Sequence, residues 1–357
     1  MNFLIVRLGA LGDIIHAVPA AAALRAAFPD ARIDWVVDAK HRAMVDLVTV
    51  VDRTIALEHS TLAGWADVAR RMRQSTYDAA IDLQGLLKSA VLARASGAAR
   101  VLGFSIWHLR EKTARPFYSD TDDGSVRRQP DHGDDIGRVR LQPDPSHVIF
   151  KNLRLLRRLG VDDDRIAFPL AHVDSDALRE VRATVGGDRP FALINPGAAW
   201  PNKRWPSEHY GEVAAFLADV RQLRSVVLWG PGEEALARAV ADASGGSALV
   251  APPTALGDLL ALSRAASLMV SGDTGPLHLA AAAGTPVVSI FGPTDPNRNG
   301  PWAPGDVSVS RFGSCACHYE RRCHQPADWC LDDLPVSEVT AAIQQRLGSA
   351  RLADPAE

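Results

Sequence analysis

Apolar residues in the first hundred positions fall into short blocks separated by longer runs of helical spacing. Phe3 to Val6 forms a compact apolar run. Ile14 to Phe28 carries the spacing of a helix, and Ile33 to Val37 is a second apolar run. A further run at Ala79 to Leu83 precedes a helical stretch from Leu86 to Ala95. Such alternation predicts a parallel sheet with crossover helices. Between Ile106 and His147 the chain turns rich in Asp, Gly, Pro and Arg and loses periodicity, which predicts a long mobile loop ahead of a helix over Ser146 to Leu159. After a polar stretch around Asp174 to Asp188 the alternation resumes. Strands are expected at Phe191 to Asn195, Ser225 to Leu228, Leu268 to Ser271 and Val287 to Phe291, with helices at Glu208 to Ala218, Glu233 to Ala243 and Pro276 to Ala283. The reading is two α/β units in tandem, residues 1–175 and 188–335, followed by a C-terminal helix at 336–348. Ligands of open α/β sheets bind beyond the carboxyl ends of the strands. Two such ends facing each other would make a deep cleft.

Composition narrows the function. The 357 residues are 47% hydrophobic and 23% charged, ordinary for a globular chain. The net charge is −3, and neither half carries the basic excess of a nucleic-acid binder. Arg7 and Asp13 interrupt the apolar start, so it reads as folded structure and not as a signal peptide. No stretch reaches the ~18 to 20 apolar residues that span a bilayer, which leaves peripheral contact as the expected membrane association.

Candidate chemistry sits where strands meet helices. Leu8-Gly9-Ala10-Leu11-Gly12-Asp13 follows the first strand and opens the first helix, where backbone N–H groups are free for a ligand. Asp13 reads either as a general base for an attacking hydroxyl or as a helix cap. A dinucleotide site, with Asp38 on a ribose, is disfavoured. The G-x-G-x-x-G pattern is absent, and Asp13 would set negative charge against a pyrophosphate. Ser271-Gly272-Asp273-Thr274-Gly275-Pro276-Leu277-His278 again joins a strand to a helix and offers amides at Thr274 and Gly275 for a phosphate. Asp273 suits sugar hydroxyls or a cap, and His278 a ligand contact or a buried helix position. Asn195-Pro196-Gly197 leads to Lys203, suited to a leaving diphosphate. Trp229-Gly230-Pro231-Gly232 leads to Glu233, suited to ribose hydroxyls.

Cys315, Cys317, Cys323 and Cys330 cluster with His318 and His324 in a C-x-C-x5-C-x6-C segment. The cluster reads first as reduced thiols in a loop or an adventitious disulfide, with a structural zinc site, and less readily an iron–sulfur centre, as the alternative. Asp162 to Asp164 reads as a solvated turn, and Arg70, Arg71 and Arg73 as a solvated helix face in preference to a contact with phosphorylated lipid at a membrane face.

Several of these motifs, in order, resemble glycosyltransferase family 9, which contains the ADP-heptose:lipopolysaccharide heptosyltransferases. They are R-x-x-x-x-G-D at Arg7 to Asp13, D-x-Q-G-L-x-K-S at Asp82 to Ser89, K-R-W-P at Lys203 to Pro206, S-x-D-T-G-x-x-H at Ser271 to His278, and F-G-P-T-D-P at Phe291 to Pro296. The resemblance implies an α/β chain of the GT-B fold, with two Rossmann-like domains facing across a cleft. It implies an inverting transferase with Asp13 as base and ADP-heptose as donor, with no cofactor required. The donor would be held by Lys203, Glu233, Asp273, Thr274, Gly275 and His278. The acidic inner-core acceptor (Kdo or the first heptose) would meet Arg7, Lys88 and Arg110. Its implied partners are the nucleotide sugar and a lipid-linked core oligosaccharide, with no nucleic acid, at the cytoplasmic face of the inner membrane. Ala198 and Ala199 stand where some heptosyltransferases carry hydroxyl residues, so a phosphate contact there must come from backbone amides. Rival readings are transfer of another sugar, a sugar-nucleotide epimerase and a non-catalytic nucleotide-sugar binding module.

Overall fold

The computed structural model describes residues 1–122, the backbone of 138–140, and residues 146–323 and 330–348. Much of the loop expected between Ile106 and His147, and His324 of the cysteine segment, lie outside the described residues. The chain divides into two compact units, Met1–Gln129 with Pro145–Ala171, and Pro130–Asp144 with His172–Glu357.

The first unit is built on strands β1 (Asn2–Val6), β2 (Arg32–Asp38), β3 (Arg53–Leu57), β4 (Ala79–Asp82), β5 (Arg100–Gly103) and β6 (Asp120–Thr121). They form a six-stranded sheet in the order β3-β2-β1-β4-β5-β6, with every pairing parallel. β1 is central because Phe3, Leu4, Ile5 and Val6 are buried on both faces, as a covered parallel strand requires. Helices α1 (Leu11–Ile15), α2 (Val18–Ala27), α3 (Arg42–Asp46), α4 (Leu62–Met72), α5 (Leu87–Ala95) and α6 (Val148–Leu156) complete it. The single helix expected from Ile14 to Phe28 is two helices. α1 ends at Ile15, and Pro19, which has no N–H to donate, falls in the first turn of α2. Asp34 is fully buried in β2, held by Arg53, Arg32 and the Tyr77 hydroxyl.

The second unit repeats the plan. Strands β7 (Arg138–Arg140), β8 (Phe191–Asn195), β9 (Arg224–Val227), β10 (Ala248–Val250), β11 (Leu268–Gly272), β12 (Val287–Phe291) and β13 (Val307–Ser310) form a seven-stranded sheet in the order β10-β9-β8-β11-β12-β13-β7. All pairings are parallel except that of β13 with β7. Its helices are α7 (Asp176–Val185), α8 (Ser207–Arg221), α9 (Glu234–Ala243), α10 (Leu256–Ala265), α11 (Gly275–Ala282), α12 (Pro296–Asn299) and α13 (Val336–Leu347). The polar stretch expected from Asp174 to Asp188 is the helix α7. Ala177, Val181 and Val185, spaced four apart, give it one buried stripe, and Ser175 caps it by accepting from the Leu178 N–H. Ser175 also donates to Asp258 of α10, which ties α7 to the second unit. The C-terminal helix α13, set apart in the sequence, packs into the same core through Val339, Ala342 and Ile343.

Candidate active site

In the first unit the loop after β1 carries Asp13 into the first turn of α1. Its carboxylate accepts from the Ala10 N–H at 3.3 Å, as a helix cap would, and is paired with the Arg7 guanidinium at 2.5 Å. The Asp13 side chain retains about a quarter of its exposure, whereas Arg7 is buried. The other arm of the Arg7 fork donates to the Leu83 carbonyl at 2.5 Å. Burial lowers the Arg7 pKa from its ordinary value, Asp13 opposes that shift, and the neighbouring charge of Arg110 adds to it. Arg7, expected to meet the acceptor, therefore has both arms of its fork committed inside the protein.

A second carboxylate organises the turn beyond β4. Asp82 is fully buried and accepts from the Gln84 and Gly85 N–H groups, from Ser89 Oγ at 2.8 Å and from the Tyr118 hydroxyl at 2.7 Å. Burial raises its pKa against those four donors. The turn it holds presents Gln84 Oε1 to the Leu8 N–H at 2.8 Å, so the Asp13 loop is fixed from both β1 and β4. Lys88 and Arg110 are both exposed, as acceptor contacts need to be.

In the second unit Thr274 is the N-cap of α11, and the first-turn amides of that helix have no intrahelical acceptor. Asp273, directly before it, is buried and already satisfied. Its Oδ2 accepts from Lys203 Nζ at 2.5 Å and Thr294 Oγ1 at 2.6 Å, and its Oδ1 from Asn299 Nδ2 at 3.0 Å and His278 Nε2 at 3.1 Å. Burial alone would raise its pKa, but the hydrogen bond from His278 and the charge of Lys203 outweigh burial and hold the carboxyl far below the usual carboxylate range. Four donors fill the carboxylate, so the sugar-hydroxyl contact expected of Asp273 has no free lone pair in this arrangement. His278 is buried in the helix and bonded to Asp273, which is the buried helix position of its two readings.

Lys203 Nζ also lies 4.5 Å from the centre of the Trp200 ring. Its backbone comes so close to β11 that a Cβ on Gly272 would stand 2.9 Å from the Lys203 carbonyl oxygen. Asn195, at the end of β8, donates to Ser271 Oγ at 3.0 Å and Thr274 Oγ1 at 3.1 Å, which fixes the cap. Glu233 turns back from the start of α9 to accept from the Gly230 N–H at 3.3 Å and pairs with Arg204 at 3.4 Å. Its carboxylate fills the space where a Cβ on Gly197 would stand, so a larger residue there would displace the Glu233 side chain. Thr294, Asn299 and Arg204 were not singled out from the sequence. Thr294 lies inside the F-G-P-T-D-P motif and Arg204 inside K-R-W-P, so the signal was present as motif membership without a role.

The cysteines pack against the end of β12, where a Cβ on Gly292 would stand 3.2 Å from Cys330 Sγ, beside a cavity of about 170 Å³ lined by Cys315, Cys323 and Cys330. Cys317 Sγ lies 3.2 Å from Cys323 Sγ. Burial and the neighbouring Cys315 push the Cys330 thiol up to about 12. Among the described residues no group of three or more His, Cys, Asp or Glu side chains is arranged to hold a metal ion. Asp163 pairs locally with Arg165, as a solvated turn does.

Comparison with known proteins identifies relatives over most of the chain. The family model for glycosyltransferase family 9 (heptosyltransferase) matches residues 65–129 and 135–327. Lipopolysaccharide heptosyltransferase 1 of Pseudomonas aeruginosa is 28% identical, over 92% of this chain and 89% of its own length. The structure of E. coli heptosyltransferase WaaC with ADP-2-deoxy-2-fluoro heptose is 25% identical with a TM-score of 0.69, covering 97% of this chain and 99% of that one. The glycosyltransferase family 9 structure from Veillonella parvula has a TM-score of 0.77 at 22% identity, covering 98% of this chain and 97% of that one. The fold is therefore α/β of the GT-B class, built from two Rossmann-like units, and the chain belongs to glycosyltransferase family 9, the heptosyltransferase family.

Proposed function

We propose that this enzyme transfers heptose from ADP-heptose to the inner core of lipopolysaccharide, at Kdo or the first heptose, with inversion at the anomeric carbon. The observation that carries the reading is the anion cradle of the second unit. Lys203, held by Asp273 and Trp200, stands beside the N-terminus of α11, whose N-cap residue Thr274 makes no side-chain cap bond. Lysine and free amides together suit the diphosphate of a nucleotide sugar.

In the proposed step Asp13 takes the proton from the acceptor hydroxyl as that oxygen bonds to C1 of the heptose. The bond from C1 to the β-phosphate oxygen breaks, and its electron pair leaves with ADP. Lys203 and the amides of Thr274 and Gly275 stabilise the charge on the departing diphosphate. Arg7 serves by orienting the Asp13 carboxylate, and Asp273 by fixing Lys203 and His278. Glu233 receives the nucleoside, while Lys88 and Arg110 meet the acidic acceptor, since exposed cations suit carboxylate and phosphate. No cofactor is needed for this displacement. The reading implies a cytoplasmic protein in peripheral contact with the inner membrane. Among the described residues no helix is long and apolar enough to cross a membrane.

The test is ADP release on mixing the protein with ADP-heptose and a heptose-free core lipid carrying Kdo, beside controls without acceptor and with Asp13→Ala. Release that needs the acceptor and is lost in the variant supports both reaction and base. Product formed from donor alone would instead favour an epimerase.

A further inference from the structure

Single exposed apolar side chains are normal on a protein surface, and a cluster of them is not. Four large ones belong to two adjoining segments of the first unit: Leu87 (39% exposed), Val91 (37%), Ile106 (44%) and Trp107 (82%). Leu87 and Val91 lie one turn apart on α5, which follows β4. Ile106 and Trp107 lie on the loop that follows β5, the strand beside β4. Hydrogen bonds hold the two segments together, from the Leu87 N–H to Glu111 Oε2 at 2.7 Å and from the Glu111 N–H to the Gly85 carbonyl at 3.2 Å.

The same segments expose Lys88, Arg94, Arg110 and Lys112. Their one carboxylate, Glu111, is turned to a backbone amide. Exposed tryptophan with aliphatic neighbours suits the headgroup depth of a bilayer, and surrounding lysine and arginine suit its anionic phosphates. A protein partner fits less well, because lysine is depleted from protein interfaces.

We propose that this face, centred on Trp107 and Leu87, docks the enzyme on anionic phospholipid membrane. The purpose of the docking rests on the transfer reading above. Lys88 and Arg110, the proposed acceptor contacts, lie on the docking segments, so a lipid-anchored acceptor reaches them at the membrane surface. The docking itself needs only the lipid.

The test is co-sedimentation of the full chain with vesicles of phosphatidylcholine alone or mixed with phosphatidylglycerol. The expected result is binding to the mixed vesicles that falls as salt screens the surface. It should weaken by at least about tenfold in Ile106→Ser/Trp107→Ser and in Arg94→Gln/Lys112→Gln, at roughly 1 kcal/mol per cation. These side chains are exposed, so unchanged melting temperatures check that the variants fold. No binding to mixed vesicles, or variants that bind as the parent does, would overturn the proposal. ADP release with a deacylated, water-soluble acceptor is measured in parallel and should be unchanged in both variants. Vesicle binding by a parent chain that transfers nothing would sink the transfer reading and leave the docking face standing.

Discussion

Asp273→Asn tests the buried network most sharply. The two carboxylate oxygens each receive two donors, Lys203 and Thr294 on one, Asn299 and His278 on the other. An amide must turn its NH₂ toward one of those pairs, so two donors lose their acceptor whichever way it faces. It also leaves the Lys203 ammonium, only 13% exposed, without its counter-charge. Breaking a buried pair on one side costs about 3–5 kcal/mol. Taking ~3 kcal/mol, the second unit should melt about 6–12 °C lower at neutral pH. Because the folded carboxyl lies below its unfolded value, its stabilisation is present above an unfolded pKa of about 4 and is lost as pH falls through that range. The gap between parent and variant should therefore be full above about pH 5 and narrow below about pH 4. Adding Lys203→Met to Asp273→Asn should recover part of the loss, since no unpaired charge then remains. Calorimetric melting of the parent, both single variants and the double variant checks this. A variant within about 2 °C of the parent at pH 7, or a double variant no more stable than Asp273→Asn, would refute the network as the source of stability.

Other expectations follow from the same structure. Asp13→Ala should fold and bind ADP while losing turnover by about 10²–10⁴-fold, and retained turnover would remove Asp13 from the mechanism. Tyr118→Phe takes one donor from buried Asp82 and should cost about 1–3 kcal/mol in urea unfolding, where an unchanged midpoint would contradict the bond. Metal analysis of protein purified without chelator should find less than ~0.2 equivalents of zinc or iron, and stoichiometric metal would favour the zinc reading of the cysteines. Cys330, with its thiol near 12, should alkylate slowly at pH 8 in the folded protein and readily after denaturation, whereas equal rates would place it in another environment.

The hydrophobic pattern made the central strands legible, because β1, β4, β8, β11 and β12 are buried on both faces and read as continuous apolar runs. It missed β3, β5 and β13, whose short sequences mix polar residues with apolar ones, and β10, whose three residues are too few to stand out as a run. It missed α7 because only three residues of that helix are buried, too few to lift a polar stretch above its surroundings. Asp13, Lys203 and Asp273 were legible at the site, since each follows a strand end. Their partners were not. Thr294 and Asn299 reach Asp273 across more than twenty residues, and Arg7 meets Asp13 only because the loop folds back, which no spacing rule encodes.

β7 has a consequence for dissection of the protein. It belongs to the second sheet, yet it lies in sequence ahead of the last part of the first unit, and it closes the flank of β13 by antiparallel pairing. A fragment beginning at His172 would contain every parallel strand of that sheet and still leave the outer N–H and C=O groups of β13 bare, a template for pairing with a second copy. Self-association of that fragment, absent from the whole chain, would be the mark of the missing strand.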